Sequence, residues 1–175
     1  SALVTGAHQG TVLRNDGYDF ARLGTYIERA DNTARILDVK YYVLLPSVSL
    51  VGSSLDNVQW ETILRAVSAY RSFRWLNEAA VGPRGIASFL MLDRRMPRSL
   101  AFCAAEVVHN LHMLAEGYGG APSESLDAAQ ALLARLQGSD VDTILAGGLH
   151  EFLSEHLRLN AALANRIETE FQFIG

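Results

Sequence analysis

The chain has 175 residues, 49% of them hydrophobic and 19% charged, with a formal net charge of -4. That composition is too apolar for a disordered chain, and the length suffices to bury a substantial core. The acidic balance offers no general basic field for nucleic acid, and no apolar run reaches the roughly 20 residues needed to span a bilayer.

Residues 1–14 are rich in Gly and Thr and read as an irregular arm, after which Asn15 is placed to cap a helix. From Asp16 to Leu45 the apolar positions Phe20, Leu23, Ile27, Ala30, Ala34, Leu37, Tyr41 and Leu44 recur at alternating steps of three and four. That is a heptad seam on one long helix, and Pro46 ends it. Ser47 to Leu55 reads as a loop. Asp56 and Gln59 form a capping-box-like pair opening a second helix to Ala80, with Trp60, Ile63, Leu64, Val67, Tyr70 and Phe73 inward.

Gly82-Pro83 breaks that helix, and Pro83 suits the first turn of a short third one carrying Ile86, Phe89 and Leu90. Pro97 opens a fourth helix with the seam Leu100, Cys103, Val107, Leu111, Leu114 and Tyr118. Cys103 is the single cysteine, so no intrachain disulfide exists, and its apolar neighbours mark it as a buried structural thiol. After Gly119-Gly120-Ala121-Pro122, Ser123 or Ser125 caps a fifth helix bearing Leu126, Ala129, Leu132, Leu133 and Leu136, which Gly138 stops. A sixth runs from Asp140 toward Phe171 with Val141, Leu145, Phe152, Leu159, Leu163 and Ile167 inward, and Gly147-Gly148 predicts a kink or split within it. No β-alternation is sustained anywhere. The expected fold is all-α: a bundle of about six helices, two or three of them long, forming one domain over residues 1–175.

Glu28, Asp31, Arg35 and Asp38 stand three, four and three residues apart, so they share a stripe beside the first seam, with Arg29 and Asn32 alongside. Such spacing fits a solvated, salt-bridged flank or a polar cluster facing a groove, and burial decides between them. Glu106-Val107-Val108-His109 has the Glu-x-x-His spacing of di-metal helical bundles, but a second copy is missing, so no metal is expected. His150-Glu151-Phe152-Leu153-Ser154 opens like a zinc-protease helix and places Ser154 where the second histidine belongs, which rejects that reading. His150 and Glu151 then brace the break at Gly147-Gly148. Arg94, Arg95 and Arg98 form a basic knot near the start of the fourth helix, a candidate anion site against a background of solvated loop arginines. No nucleophile arrangement or phosphate loop is evident, and no cofactor is expected.

Several segments together resemble the bacterial alpha-E family of uncharacterised helical proteins. They are His8-Gln9-Gly10-Thr11 leading to Arg14, Leu23-Gly24, the run Glu28-Arg29-Ala30-Asp31-Asn32-Thr33-Ala34-Arg35, and Leu37-Asp38-Val39-Lys40-Tyr41 to Leu44-Leu45-Pro46. Gln59-Trp60, Leu92-Asp93-Arg94-Arg95-Met96-Pro97-Arg98-Ser99 and Gly148-Leu149-His150-Glu151-Phe152 follow in the same order. Members of that family carry an earlier half with its own Glu-Arg helix, so the chain resembles the later half and is expected to be truncated at its N-terminus. The family is encoded beside circularly permuted ATP-grasp ligases and transglutaminase-like peptidases. The resemblance therefore implies an accessory protein of peptide synthesis, modification or turnover, with a ligase, a peptide or both as partners. The absence of a leader segment makes the cytoplasm the expected location. Two alternatives stand beside that reading: an enzyme using a Glu28, Arg35, His150 and Glu151 pocket, and a homo-oligomerisation module.

Overall fold

The computed structural model describes residues 15–42, 54–76, 82–120 and 123–171, with side chains at all of these except 40–42 and 54–57. Among the described residues there are eight helices and no strands: α1 (Asp16–Tyr42), α2 (Ser54–Ala66), α3 (Tyr70–Leu76), α4 (Pro83–Met91), α5 (Leu100–Gly117), α6 (Glu124–Gln137), α7 (Val141–Gly147) and α8 (Leu149–Glu170). The all-α expectation holds. The expectations on residues 1–14, the side chain of Tyr41, Leu44 and the Pro46 stop lie outside the described residues or side chains, whereas α2 starts at Ser54, so Leu55 and Asp56 lie within the helix and Asp56 does not cap it.

The strut of the fold is α1, about 40 Å long at 1.5 Å per residue. The Asn15 side chain accepts a hydrogen bond from the Tyr18 N–H at 3.3 Å, and Asp16 and Asp19 oppose the helix dipole in the first turn. Leu23, Tyr26, Ala30, Thr33, Ala34 and Leu37 are buried, while Phe20 and Ile27 flank them half-buried. α5 covers one side, joined by Arg22–Glu106 and Arg29–Pro97; α8 covers the other, joined by Ile27–Asn160 and Asp38–His150. Both therefore run antiparallel to α1. α6 closes the four-helix core against α5 and α8, and the shorter helices α2, α3, α4 and α7 flank it.

The expected second helix is two helices. The Ser68 N–H bonds the Arg65 carbonyl at 2.9 Å and the Ala69 N–H bonds the Leu64 carbonyl at 2.7 Å, a Schellman closure that puts Ser68 at φ 56°. The sequence carries no glycine there, so the break had no local signal. The same closure ends α5, where Gly119 at φ 86° and Gly120 at φ 72° supply left-handed positions that cost glycine little. The predicted split at Gly147-Gly148 occurs, with Gly148 at φ 105° between α7 and α8.

Three further expectations are corrected. Pro97 lies in a turn rather than opening α5; the buried Ser99 caps that helix, accepting from Phe102 N–H at 3.0 Å and donating to the Asp93 carbonyl at 2.5 Å. Tyr118 and Leu145 are exposed, since one ends its helix and the other is turned about 100° from the buried Ile144. On α8 the buried row is Leu149, Leu153, His156, Asn160, Leu163 and Ile167, whereas Phe152 and Leu159 only flank it. Cys103 is buried as expected, and burial pushes its thiol up to about 12.

His156 is fully buried with neither ring nitrogen hydrogen-bonded, beside a central cavity of about 10 Å³ that is lined also by Tyr26, Cys103 and Asn160. Desolvation, aided by Arg135 and opposed by Asp31, lowers its pKa from 6.5 to about 4. Between those values the unfolded chain binds a proton that the folded one does not. Stability is therefore fully present above pH 6.5 and falls as the pH drops toward 4, by on the order of 3 kcal/mol. Urea unfolding across that range should show the decline, and His156→Leu should remove most of it; equal decline in both proteins would refute the assignment.

Candidate functional site

The polar stripe of α1 divides into an inner and an outer part. Arg29 is half-buried; its Nη1 donates to the Pro97 carbonyl at 3.1 Å, and its guanidinium lies 5.1 Å from the Tyr26 ring centroid. Arg22 covers the same ring at 4.5 Å and donates to Glu106 at 2.6 Å. Burial, together with the Glu106 carboxylate, pushes the Tyr26 phenol up against the opposing influence of the two arginines. Tyr26 is thus held between two guanidiniums, an arrangement worth about 0.5–2 kcal/mol per cation–π contact depending on burial. This cluster locks α1 to α5 and to the connection that precedes it.

The outer part faces water. Glu28, Asn32 and Arg35 are all exposed. Arg35 is held by Asp31 on the same helix, with its Nε at 2.7 Å and Nη2 at 3.1 Å from the two carboxylate oxygens. Among the described residues Glu28 and Asn32 make no hydrogen bond or ion pair. The stripe is therefore a ridge along the strut and does not converge on a cavity.

Its last member joins a different group. Asp38 Oδ1 lies 2.7 Å from His150 Nδ1, with the two side chains 20% and 25% exposed, and this pair ties the C-terminal part of α1 to the first turn of α8. Ser154 Oγ lies 3.3 Å from Nε2 and 3.4 Å from Nδ1 of the same ring. An oxygen in the ring plane at those distances would collide with the carbon between the nitrogens, so it sits over the ring face. A serine nucleophile needs its proton directed along the in-plane lone pair of the base, and this geometry does not provide that. Glu151 turns back over the start of α8, where a Cβ on Gly148 would collide with its carboxylate. It is exposed, makes no hydrogen bond or ion pair among the described residues, and does not join His150.

The arginine knot is likewise divided. Arg95 is chelated by Asp93 at 3.1 and 2.8 Å, and that pairing holds the Asp93 carboxyl below its ordinary range. Arg94 is exposed, Arg98 is half-buried, and neither has an ion pair among the described residues. Glu106 is committed to Arg22 and Tyr26 while His109 is exposed; among the described residues no three His, Cys, Asp or Glu side chains are placed to hold a metal. No described helix is long and apolar enough to cross a membrane.

Two features of the site escaped the sequence reading. One is the Arg22–Tyr26–Glu106 cluster, whose members stand four apart on α1 and opposite on α5. The other is Arg135, whose guanidinium lies 4.1 Å over the Phe152 ring with Nη1 buried and unbonded. Burial pulls its pKa down, only partly offset by Glu155. Neither has a motif; each arises from two helices meeting.

Among the described residues the fold is all-helical, with Glu28 and Arg29 on a ridge along α1. A family described as Alpha-E, a predicted alpha-helical domain with a conserved ER motif, matches residues 1–172, and the chain belongs to that family. No curated protein and no solved structure matches it significantly. Glu28-Arg29 is the one Glu-Arg dipeptide in the sequence, so the motif falls on the ridge, with one side chain turned into the fold and its neighbour turned out. Arg29→Ala should then cost about 2 kcal/mol and lower the melting temperature by about 5 °C. Glu28→Ala should leave thermal unfolding within about 1 °C of the parent, as surface substitutions usually do. Calorimetry of the two variants separates these roles, and equal losses would contradict the division.

Proposed function

We propose that this chain is a non-catalytic helical binding module, an accessory of a bacterial cytoplasmic ATP-grasp peptide ligase, engaged through the outer edge of α1. The observation that carries the reading is Glu28: it belongs to the motif for which the family is described, yet it has no intramolecular partner among the described residues. A side chain with no role in holding the fold is available to a partner. Asn32 and Arg35 continue the same edge over the next two turns, and Arg29 connects it through Pro97 to the stretch bearing Arg94 and Arg98. A carboxylate, an amide and a guanidinium in line suit a polar protein surface or a peptide backbone better than a small apolar ligand.

An enzymatic reading draws on the Asp38–His150 contact. It requires Glu28, Arg35 and Glu151 to share that pocket, and their separate directions argue against it. A homo-oligomerisation reading needs a continuous apolar face, and the exposed edge of α1 is mostly polar.

Co-purification of the chain with the ATP-grasp ligase encoded beside it tests the proposal. Glu28→Ala combined with Arg35→Ala is expected to weaken the complex at least about tenfold, within the range of interface hot spots, while circular dichroism stays unchanged. A complex of parental affinity in that double variant would sink it.

A further inference from the structure

A second surface lies away from the α1 edge. Residues 65–76 hold three arginines and no carboxylate, a local net of +3 in a chain whose total is -4, and four more arginines follow by Arg98. Several of these arginines are engaged: Arg84 is bidentate to Asp142 at 2.6 Å, Arg95 pairs with Asp93, and Arg65 stacks 4.0 Å over Tyr70. Arg71 and Arg74 are exposed and make no hydrogen bond or ion pair among the described residues. Both are on α3, where Phe73 alone is buried, packing edge-to-face on Phe89 of α4 at 5.3 Å.

On the same short helix Trp75 is 86% exposed and Leu76 is 41% exposed, Trp75 being the most exposed large hydrophobic residue described. Arg71 and Trp75 stand four apart and share a face. Leu76 borders a mixed, mostly polar cleft of about 330 Å³ where Phe89 and Leu92 meet Ser88, Asp93 and the carboxylate-paired Arg84 and Arg95. That volume lies at the lower end of ordinary binding pockets, about 300–1,000 Å³. Tryptophan and arginine together are the side chains that most often anchor protein interfaces.

We infer that α3 and the adjoining α4 cleft form a docking surface for an acidic peptide segment carrying one apolar anchor residue. The anchor enters the cleft between Leu76 and Phe89, Trp75 covers it, and carboxylates of the segment meet Arg71 and Arg74. Charge complementarity selects an acidic partner. The acidic total of the chain favours a peptide over a nucleic acid, whose phosphates need a broad basic field. This surface is independent of the α1 edge and of the ligase reading.

The test uses a fluorescein-labelled peptide of Asp and Glu around a single Leu, its Asn/Gln counterpart, and single-stranded oligothymidine, measured by fluorescence anisotropy. The acidic peptide should bind saturably and more weakly as salt rises. Trp75→Ala and the pair Arg71→Glu, Arg74→Glu should each weaken it at least about tenfold. Glu28→Ala should leave it unchanged, which separates this surface from the one proposed above. The inference is overturned by no saturable binding, by equal binding of the Asn/Gln peptide, by tighter binding of oligothymidine, or by a light-scattering dimer that Trp75→Ala dissolves.

Discussion

The face of α1 running through Leu23, Tyr26, Ala30, Thr33 and Leu37 is covered by α5 on one side and α8 on the other, and this double burial sets everything else. An amphipathic helix packed from both flanks retains only a narrow strip toward water. Here the strip carries Glu28, Asn32 and Arg35. The helix is held in that rotation by Tyr26, which lies under Arg22 and Arg29, and by the Arg22–Glu106 pair. A rotation that exposed Arg29 would strip the clasp from a buried phenol. The orientation of the outer edge is thus a consequence of chemistry on the inner one.

The helices were legible wherever the chain punctuates itself. Gly119-Gly120 and Gly147-Gly148 announced breaks because left-handed backbone is nearly free for glycine. Ser68 makes the same closure as Gly119 without that residue, so the break between α2 and α3 could not be read from composition. The row on α8 was obscured for a related reason. His156 and Asn160 occupy interior positions in a regular three–four rhythm, and their polarity disguised a seam that Leu149, Leu153, Leu163 and Ile167 otherwise trace.

The polar residues tell a similar story. Spacing placed Glu28, Asp31, Arg35 and Asp38 along one stripe, and they do lie along it, yet a stripe on a cylinder spans a range of burial. Small differences in angle leave Glu28 and Arg35 in solvent and turn Asp38 toward His150. Which side of a helix meets a neighbour depends on the neighbour, and His150 is 112 residues away in sequence. The same holds for Glu106, which read as half of a metal motif and instead completes the clasp on Tyr26. Local spacing reveals which residues stand together; only the packed bundle reveals what they face.

The α1–α8 seam has a consequence for how the molecule is made. Its ties, Asp38 to His150 and Ile27 to Asn160, bridge 112 and 133 residues. A helical protein assembled from neighbours in sequence closes each hairpin as it leaves the ribosome, whereas here one flank of the strut waits for the last helix of the bundle. During synthesis Leu23, Ala34 and Leu37 stay uncovered until α5 follows, and open on their other flank until α8 is made. That delay places the nascent chain among the slower-closing helical topologies, since long loops must be drawn together before their contacts repay the entropy.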